Sequence, residues 1–342
     1  MPSSDYGVEI TAIPYWVTVD GTTVYGSQAT KTINEGKMVS TISSSSSLTV
    51  SGEQLFSIDQ PWKNDSEKDI SSNVYSAQGG YTDGTYYYQA FIEKASGDTS
   101  NTGTANRVRI CQYDMSGNEL INTLVEPDTS TSFSLDHAND ITYNSRIERF
   151  LVSHAAPGYT EISYFKLDIS SETPTLTYEK TDTIDYNIIS IAYHEDTDRY
   201  VVGLKGTKAF RILDSDFDAI TPELTPISND SGYVTQGVTC DDNYVYFVLY
   251  GKDDYNNVIA IYDWDGNHVR TIDLESVIDS DGTTLPLASI TYKQYEPENI
   301  SVIGNEIYIG CNYNDDSETY STLVGGDGLD TFVVYKIKLE MN

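Results

Sequence analysis

The sequence predicts an all-β fold, a five-bladed β-propeller of four-stranded antiparallel blades, and three observations predict it. A unit recurs five times: a short apolar strand, a polar turn, a tyrosine-rich strand, then a hairpin built on Asp, Ser, Gly or Asn. Residues 78–88, Gln-Gly-Gly-Tyr-Thr-Asp-Gly-Thr-Tyr-Tyr-Tyr, align without a gap over residues 236–246, Gln-Gly-Val-Thr-Cys-Asp-Asp-Asn-Tyr-Val-Tyr. With Gly80, Ile141, Ile191, Val238 and Ile300 taken as equivalent, successive units lie 61, 50, 47 and 62 residues apart. An all-strand unit of that period is a propeller blade. The composition agrees: 28 Tyr, with abundant Thr, Ser, Asp, Asn and Ile, suits pleated strands and polar turns better than helices.

Residues 1–53 stand apart from the repeats. Val8–Ile13 and Tyr15–Val19 read as strands, Asp20-Gly21 before Thr22–Tyr25 reads as a hairpin, and Ser43–Ser47 reads as a linker. A piece this short cannot easily stabilise itself, so it is expected to pack on the propeller or dock the chain to another protein. The propeller is expected over 54–342. Gln54–Asp59 resembles the outer strands Glu119–Val125 and His268–Asp273. Residues near 54–60 are therefore expected to pair with the C-terminal blade and close the ring, since an open edge is an aggregation hazard.

The blades follow in order. In the second, Ile141–Tyr143 is the inner strand, Arg149–His154 the second, Glu161–Leu167 the third and Thr175–Tyr178 the outer edge. The fourth runs Val238–Cys240, Val245–Tyr250, Val258–Tyr262 and Val269–Leu274. Val258–Tyr262 is almost wholly apolar, as a strand covered on both faces should be. The last unit supplies three strands, Ile300–Ile303, Glu306–Cys311 and Thr331–Ile337, and needs its fourth from the front of the chain.

The formal charge is −32, from 52 acidic and 20 basic residues. Such a surface repels nucleic acid and anionic lipid. No apolar run is long enough to span a membrane. Met1–Asp5 shows neither a basic leader nor an apolar export segment. Cys111, Cys240 and Cys311 fall on different blades, a pattern that suits buried free thiols rather than a disulfide framework or zinc.

Candidate chemistry lies first at the axial mouth where the inner strands begin. The aligned positions there are Gln78, Asn139, Ile189, Gln236 and Glu298, with His137, Asp136, Asp140 and Asp185 beside them. Amides and an imidazole can hydrogen-bond a sugar or simply satisfy strand ends in a hydrated channel. A second set is the acidic turns at Asp114, Asp214, Asp263 and Asp279. They begin like calcium loops, but the twelfth position from Asp263 is Leu274 rather than a bidentate Glu. Hairpin geometry accounts for them, and structural calcium is unsupported. Loop tyrosines at 159, 233, 255, 313 and 320 suit sugar or protein recognition. His154, His194 and His268 are dispersed, which points to turn or surface roles. No phosphate loop, nucleophile triad or Cys-His pairing is present, so no cofactor is expected.

Residues 78–88, His137–Asn144 and Asn257–Asn267 resemble segments of five-bladed propeller proteins of low-GC Gram-positive bacteria and their phages. That resemblance implies a cell-surface or virion setting. Gly84-Thr85-Tyr86-Tyr87 also resembles a segment of propeller glycosidases, which carry a catalytic Asp shortly upstream. Here that position is Gln78, and an amide cannot take a proton from water. Catalysis would need loop acids such as Asp136 or Asp185. The expectation is a non-enzymatic virion component displaying a propeller for host-surface glycan, docked to other virion proteins through 1–53 and part of a homo-oligomer or larger assembly. The alternatives are a secreted propeller glycoside hydrolase or lyase, and a bacterial surface adhesin.

Overall fold

The computed structural model describes residues 8–12, 15–17, 23–25, 29–33, 48–59, 75–93, 107–125, 135, 137–154, 159–168, 175–206, 209–224, 232–251, 256–277, 295–313 and 331–341. Two compact units divide the chain, Met1–Thr41 and Ile42–Asn342. In the first, β1 (Val8–Ala12) pairs antiparallel with β4 (Ala29–Ile33), and β2 (Tyr15–Val17) pairs with β3 (Thr23–Tyr25). The expected hairpin across Asp20-Gly21 is the β2–β3 pair.

The second unit is the propeller, five blades of antiparallel strands. Blade one is β6 (Tyr75–Thr82), β7 (Tyr86–Glu93), β8 (Arg107–Asp114) and β9 (Glu119–Val125). Blade two is β10 (Asp140–Asn144), β11 (Arg149–Ser153), β12 (Glu161–Asp168) and β13 (Thr175–Thr183). Blade three has β14 (Ile188–His194), β15 (Arg199–Leu204) and β16 (Phe210–Leu213); among the described residues its outer edge is paired through two bridges, Leu213 to Ala219 and Phe210 to Leu224. Blade four is β17 (Tyr233–Cys240), β18 (Tyr244–Gly251), β19 (Val258–Asp263) and β20 (His268–Asp273).

Blade five joins the ends of this unit. Its strands β21 (Tyr295–Ile303), β22 (Glu306–Tyr313) and β23 (Thr331–Met341) are completed by β5 (Leu48–Asp59). The closing strand starts at Leu48, ahead of the expected 54, and pairs from Leu48–Met341 to Asp59–Thr331 with one register break, at Leu55 opposite Val334 and Tyr335. Phe56 on β5 is buried edge-on against Tyr87 of blade one, with ring centroids 5.8 Å apart and planes at 84°. Closure therefore carries a hydrophobic anchor as well as a ladder.

Alternation sends neighbouring residues of one strand into different inter-blade layers. Tyr88, Ile110, Ile141, Phe150 and Phe165 form the layer between blades one and two. The adjacent residues Leu151 and Tyr164 turn the other way, joining Ile191, Tyr200 and Val202 of blade three. Consecutive Tyr87 and Tyr88 are both buried, on opposite faces of blade one. Both faces of a blade are covered by neighbours, so the second-strand tyrosines Tyr87, Tyr88, Tyr244 and Tyr246 are all buried.

The acidic hairpins are turns, as expected. Asp263 Oδ1 accepts the Asp265 and Asn267 N–H groups, and Asp114 Oδ1 accepts those of Ser116 and Asn118. Their third turn residues, Gly117 and Gly266, have φ of 85° and 83°, which suits glycine. In blade three the equivalent residue is Phe217, at φ 65°. Its ring stacks on Tyr200 at 4.5 Å and 18°. Asp279 lies outside the described residues.

Candidate functional site

Both ends of the propeller axis are built by the inner strands β6, β10, β14, β17 and β21. Four of these carry a register break at the same level: between Ala77 and Gly80, Ile188 and Ser190, Thr235 and Val238, and Pro297 and Asn299. The residues skipped by the ladder include Gln78, Ile189, Gln236 and Glu298, four of the five positions aligned from the sequence. A bulge leaves its extra residue unpaired and bends the strand. Here the bend brings backbone onto backbone. A Cβ on Gly79 would stand 2.5 Å from Asp140 Cα, and one on Gly237 would stand 2.8 Å from Asn299 Cα. Only glycine permits either approach.

The polar side chains of this upstream mouth bond to the protein itself, most of them across strands. Asn139 Nδ2 donates to Ile189 O at 2.9 Å, Gln78 Nε2 to Ala77 O at 2.9 Å, and Gln236 Nε2 to Glu296 Oε1. Asn299 donates to Gln78 O at 2.8 Å and to Gln89 Oε1 at 2.9 Å, and it accepts from the Tyr87 hydroxyl. His137 is half-buried in the turn before β10, and Asp185 is exposed between β13 and β14. Asp136 lies outside the described residues.

Asp140 is the most deeply set acid. It is fully buried. Its Oδ1 accepts the Ile141 N–H at 3.0 Å, while Oδ2 accepts the N–H of Ile191 at 3.0 Å and of Val238 at 3.2 Å. Burial pushes its carboxyl well above the ordinary range, against the pull of these three donors. Glu298 is also buried and accepts from Asn312 Nδ2 at 2.6 Å. Asn312 in turn donates to Ala77 O at 3.0 Å, linking blades five and one. Burial, then the neighbouring charge of Glu296, raises the Glu298 carboxyl well above its usual value, while the Asn312 bond opposes the shift. The sequence left Glu298 without a carboxylate partner among the aligned positions. Its partner is Glu296, two residues earlier on the same strand.

A cavity lies at the other end. It measures about 250 Å³ and is lined by residues from all five inner strands where they finish, including Tyr81, Thr142, Tyr193, Thr239 and Ser301. Asp83 and Glu195 are its charged lining residues, and both are exposed. Thr142 Oγ1 accepts the Tyr193 N–H at 3.0 Å, and Ser301 Oγ accepts the Thr82 N–H at 3.2 Å. Ser145 Oγ, at the wall, is buried with no hydrogen-bond partner among the described residues. Sequence alignment did not single out this mouth. Tyr143 and Tyr193 occupy equivalent positions, whereas Tyr81 sits one residue earlier in its repeat, so no ring of like residues marks it.

Of the other residues, His194 has a turn role, at the end of β14, but is buried. Its Nδ1 faces Thr197 Oγ1 at 2.7 Å and its Nε2 faces Asp242 Oδ1 at 3.0 Å, with Trp264 edge-on at 4.9 Å. His154 is also buried, with Nε2 2.7 Å from Ser163 Oγ. Tyr233 and Tyr313 belong to strands rather than loops. Tyr159 lies in a turn with the Lys205 ammonium 4.8 Å above its ring. Tyr255 and Tyr320 fall outside the described residues. Cys111 and Cys311 are buried free thiols and Cys240 is half-buried.

No protein-family model matches the chain, and no curated protein matches it. Solved structures do. Regucalcin from Agrobacterium tumefaciens, a calcium-binding protein, matches with a TM-score of 0.40 and 11% identity over 78% of this chain and 92% of its own. An exo-β-1,3-galactanase from Phanerochaete chrysosporium matches with a TM-score of 0.46 and 10% identity, over 86% of this chain and 64% of its own. A chain of a nidogen/laminin complex gives 0.37 and 11%, over 68% and 71%. At such identities and scores these likenesses say nothing about the chemistry of this chain.

Proposed function

We propose that the chain is a non-enzymatic recognition protein whose propeller binds a ligand at its axis. The observation that supports this reading is the condition of the axial acids. Asp140, Glu296 and Glu298 are all buried, and each accepts hydrogen bonds from the protein itself. Glycosidic cleavage needs two carboxyl groups flanking a space that holds the sugar. The open cavity presents hydroxyls, tyrosines and two exposed rim carboxylates, of which Asp83 serves its own turn by accepting the Thr85 and Tyr86 N–H groups, and this lining suits binding.

The biological setting we propose is the surface of a phage particle, with a bacterial cell surface as the alternative and host-surface glycan as the target. That setting is supported by the resemblance of the blade segments to phage and Gram-positive surface propellers. Residues ahead of the propeller would dock the chain to other virion proteins. A truncation testing this must end at Thr41, because Leu48–Glu53 belong to the ring-closing strand. Unchanged incorporation of the truncated chain into particles would refute the docking role.

A second reading, a propeller glycoside hydrolase, is favoured by one observation: Glu296 and Glu298 put two buried carboxyl groups on one inner strand at the axis, where burial and the Glu296 charge raise the Glu298 carboxyl in the direction a general acid needs. Incubating the full chain with cell-wall glycans and β-linked oligosaccharides, while measuring retention and reducing-end release together, separates the two. Retention without release is expected. Release that Glu298→Gln abolishes would establish the hydrolase instead.

A further inference from the structure

We propose that the cavity at the downstream end of the axis binds a small organic ammonium group, an alkylated amine carrying one diffuse positive charge. This rests on the reading of the propeller as a binding module and names what its open mouth accepts.

Three features point to that chemistry. The first is size. About 250 Å³ is below the span of a drug-sized site, so the occupant is a compact group rather than an oligosaccharide chain. The second is the wall. Tyr81, Tyr143 and Tyr193, from three successive blades, all line the cavity, and the Tyr81 and Tyr143 ring centroids lie 6.3 Å apart. Tyr193 is held by its hydroxyl, which donates to Asp198 Oδ1 at 2.8 Å. Tyrosine faces attract ammonium groups through the ring quadrupole.

The third feature is charge. Asp83 and Glu195, on blades one and three, are the charged residues of the lining, and both are acids. Negative charge from both reaches the same rings: after burial, Asp83 and more weakly Glu195 help hold the Tyr81 hydroxyl above its ordinary pKa, and they add to burial and Glu148 in raising Tyr143, against the pull of Arg149. Arg146 stands beside the rim, but it donates to the Glu195 backbone carbonyl at 3.2 Å and lies 3.6 Å from the Asp198 carboxylate, and it is not among the lining residues. A hard divalent ion would need converging oxygen ligands. No cluster of three His, Cys, Asp or Glu side chains suited to a metal occurs among the described residues. Asp83 Oδ1 accepts the Thr85 and Tyr86 N–H groups of its own turn at 2.8 Å, and both acids stay solvated at the rim. What they give the cavity is a negative potential, which favours a diffuse monocation over aromatic rings above a neutral group.

The test is calorimetric titration of the full chain with tetramethylammonium chloride. Its neutral near-isostere, tert-butanol, and calcium chloride serve as controls. The expected result is saturable tetramethylammonium binding that weakens with added salt, with neither control binding there. Tyr143→Leu should weaken it about tenfold while Tyr143→Phe retains it. Glu195→Gln, at an exposed side chain that leaves the fold intact, should also weaken it several-fold at low salt. Choline, a trimethyllysine peptide and phosphatidylcholine vesicles then identify the source of the group. Equal binding of tert-butanol, binding unaffected by Tyr143→Leu and Glu195→Gln, or no tetramethylammonium binding by a folded protein would overturn the proposal. Absence of ammonium binding leaves the recognition reading standing, whereas glycan turnover overturns that reading alone.

Discussion

Asp140 and Val238 lie 98 residues apart in the chain, and the carboxylate of the first accepts the backbone N–H of the second at 3.2 Å, across from blade two to blade four. The same oxygen also holds Ile191 of blade three. One side chain thus gathers three inner strands at the hub. Asp140→Ala should leave these N–H groups without acceptors in a dry site, costing on the order of 3 kcal/mol. Asp140→Asn restores an acceptor on one side only and should cost less. Urea denaturation of both variants checks the order.

The raised carboxyl of Glu298 gives a pH prediction with a definite sign. Its folded pKa lies above its unfolded value of about 4.3. Below that unfolded value the proton is held in both states and costs nothing. As pH rises from there toward the folded pKa, only the unfolded state releases it, and stability falls by up to about 1.4 kcal/mol per pH unit. Glu298→Gln removes that slope while its amide oxygen still accepts from Asn312. Denaturation across pH 4 to 8 should therefore show the variant gaining on the wild type as pH rises. A constant difference would show that Glu298 titrates normally.

Ring closure depends on β5, and Phe56 is its buried anchor. Phe56→Ala removes the contacts with Tyr87 and with Tyr113, whose centroid is 6.2 Å away. A loss of about 3–5 kcal/mol is expected. Truncating residues 1–41 should leave the propeller's melting temperature nearly unchanged. Extending the truncation through 59 should expose β23 as an edge and cause aggregation, measurable by light scattering.

Phe217 reverses the usual ranking of glycine and alanine. At φ 65° it occupies backbone that glycine prefers, retained because its ring stacks on Tyr200. Phe217→Gly loses the ring and relieves the strain, whereas Phe217→Ala loses the ring and keeps the strain. The alanine variant should be the less stable by about 1 kcal/mol, which differential scanning calorimetry can resolve.

The fold was legible because its signals are local. Tyrosine-rich second strands, Asp-Gly and Ser-Gly hairpins, and the likeness of Gln54–Asp59 to outer strands each follow from short-range chemistry. The site was less legible because it depends on the bulges. Alignment brought Gln78, Ile189, Gln236 and Glu298 to the same level, but their polar groups are taken up by the protein: Gln78 by Ala77 O, Gln236 by Glu296 of blade five, and Glu298 by Asn312 of its own blade. Glu296 was missed because Tyr295-Glu296-Pro297 reads as loop: proline is rarely tolerated inside a sheet except at an edge or a bulge, and here the register break lies between Pro297 and Asn299. The downstream cavity left no aligned mark, since its three tyrosines do not share one repeat position.

Hydrogen exchange at the Ile191 and Val238 amides is the most direct measure of whether the axial acids hold the blades together. In the wild type both should exchange as slowly as the most protected core amides, through global unfolding. In Asp140→Ala both should exchange faster than neighbouring protected strand amides of blade one. If they exchange rapidly in the wild type, or are unchanged relative to those amides in the variant, Asp140 does not hold the hub.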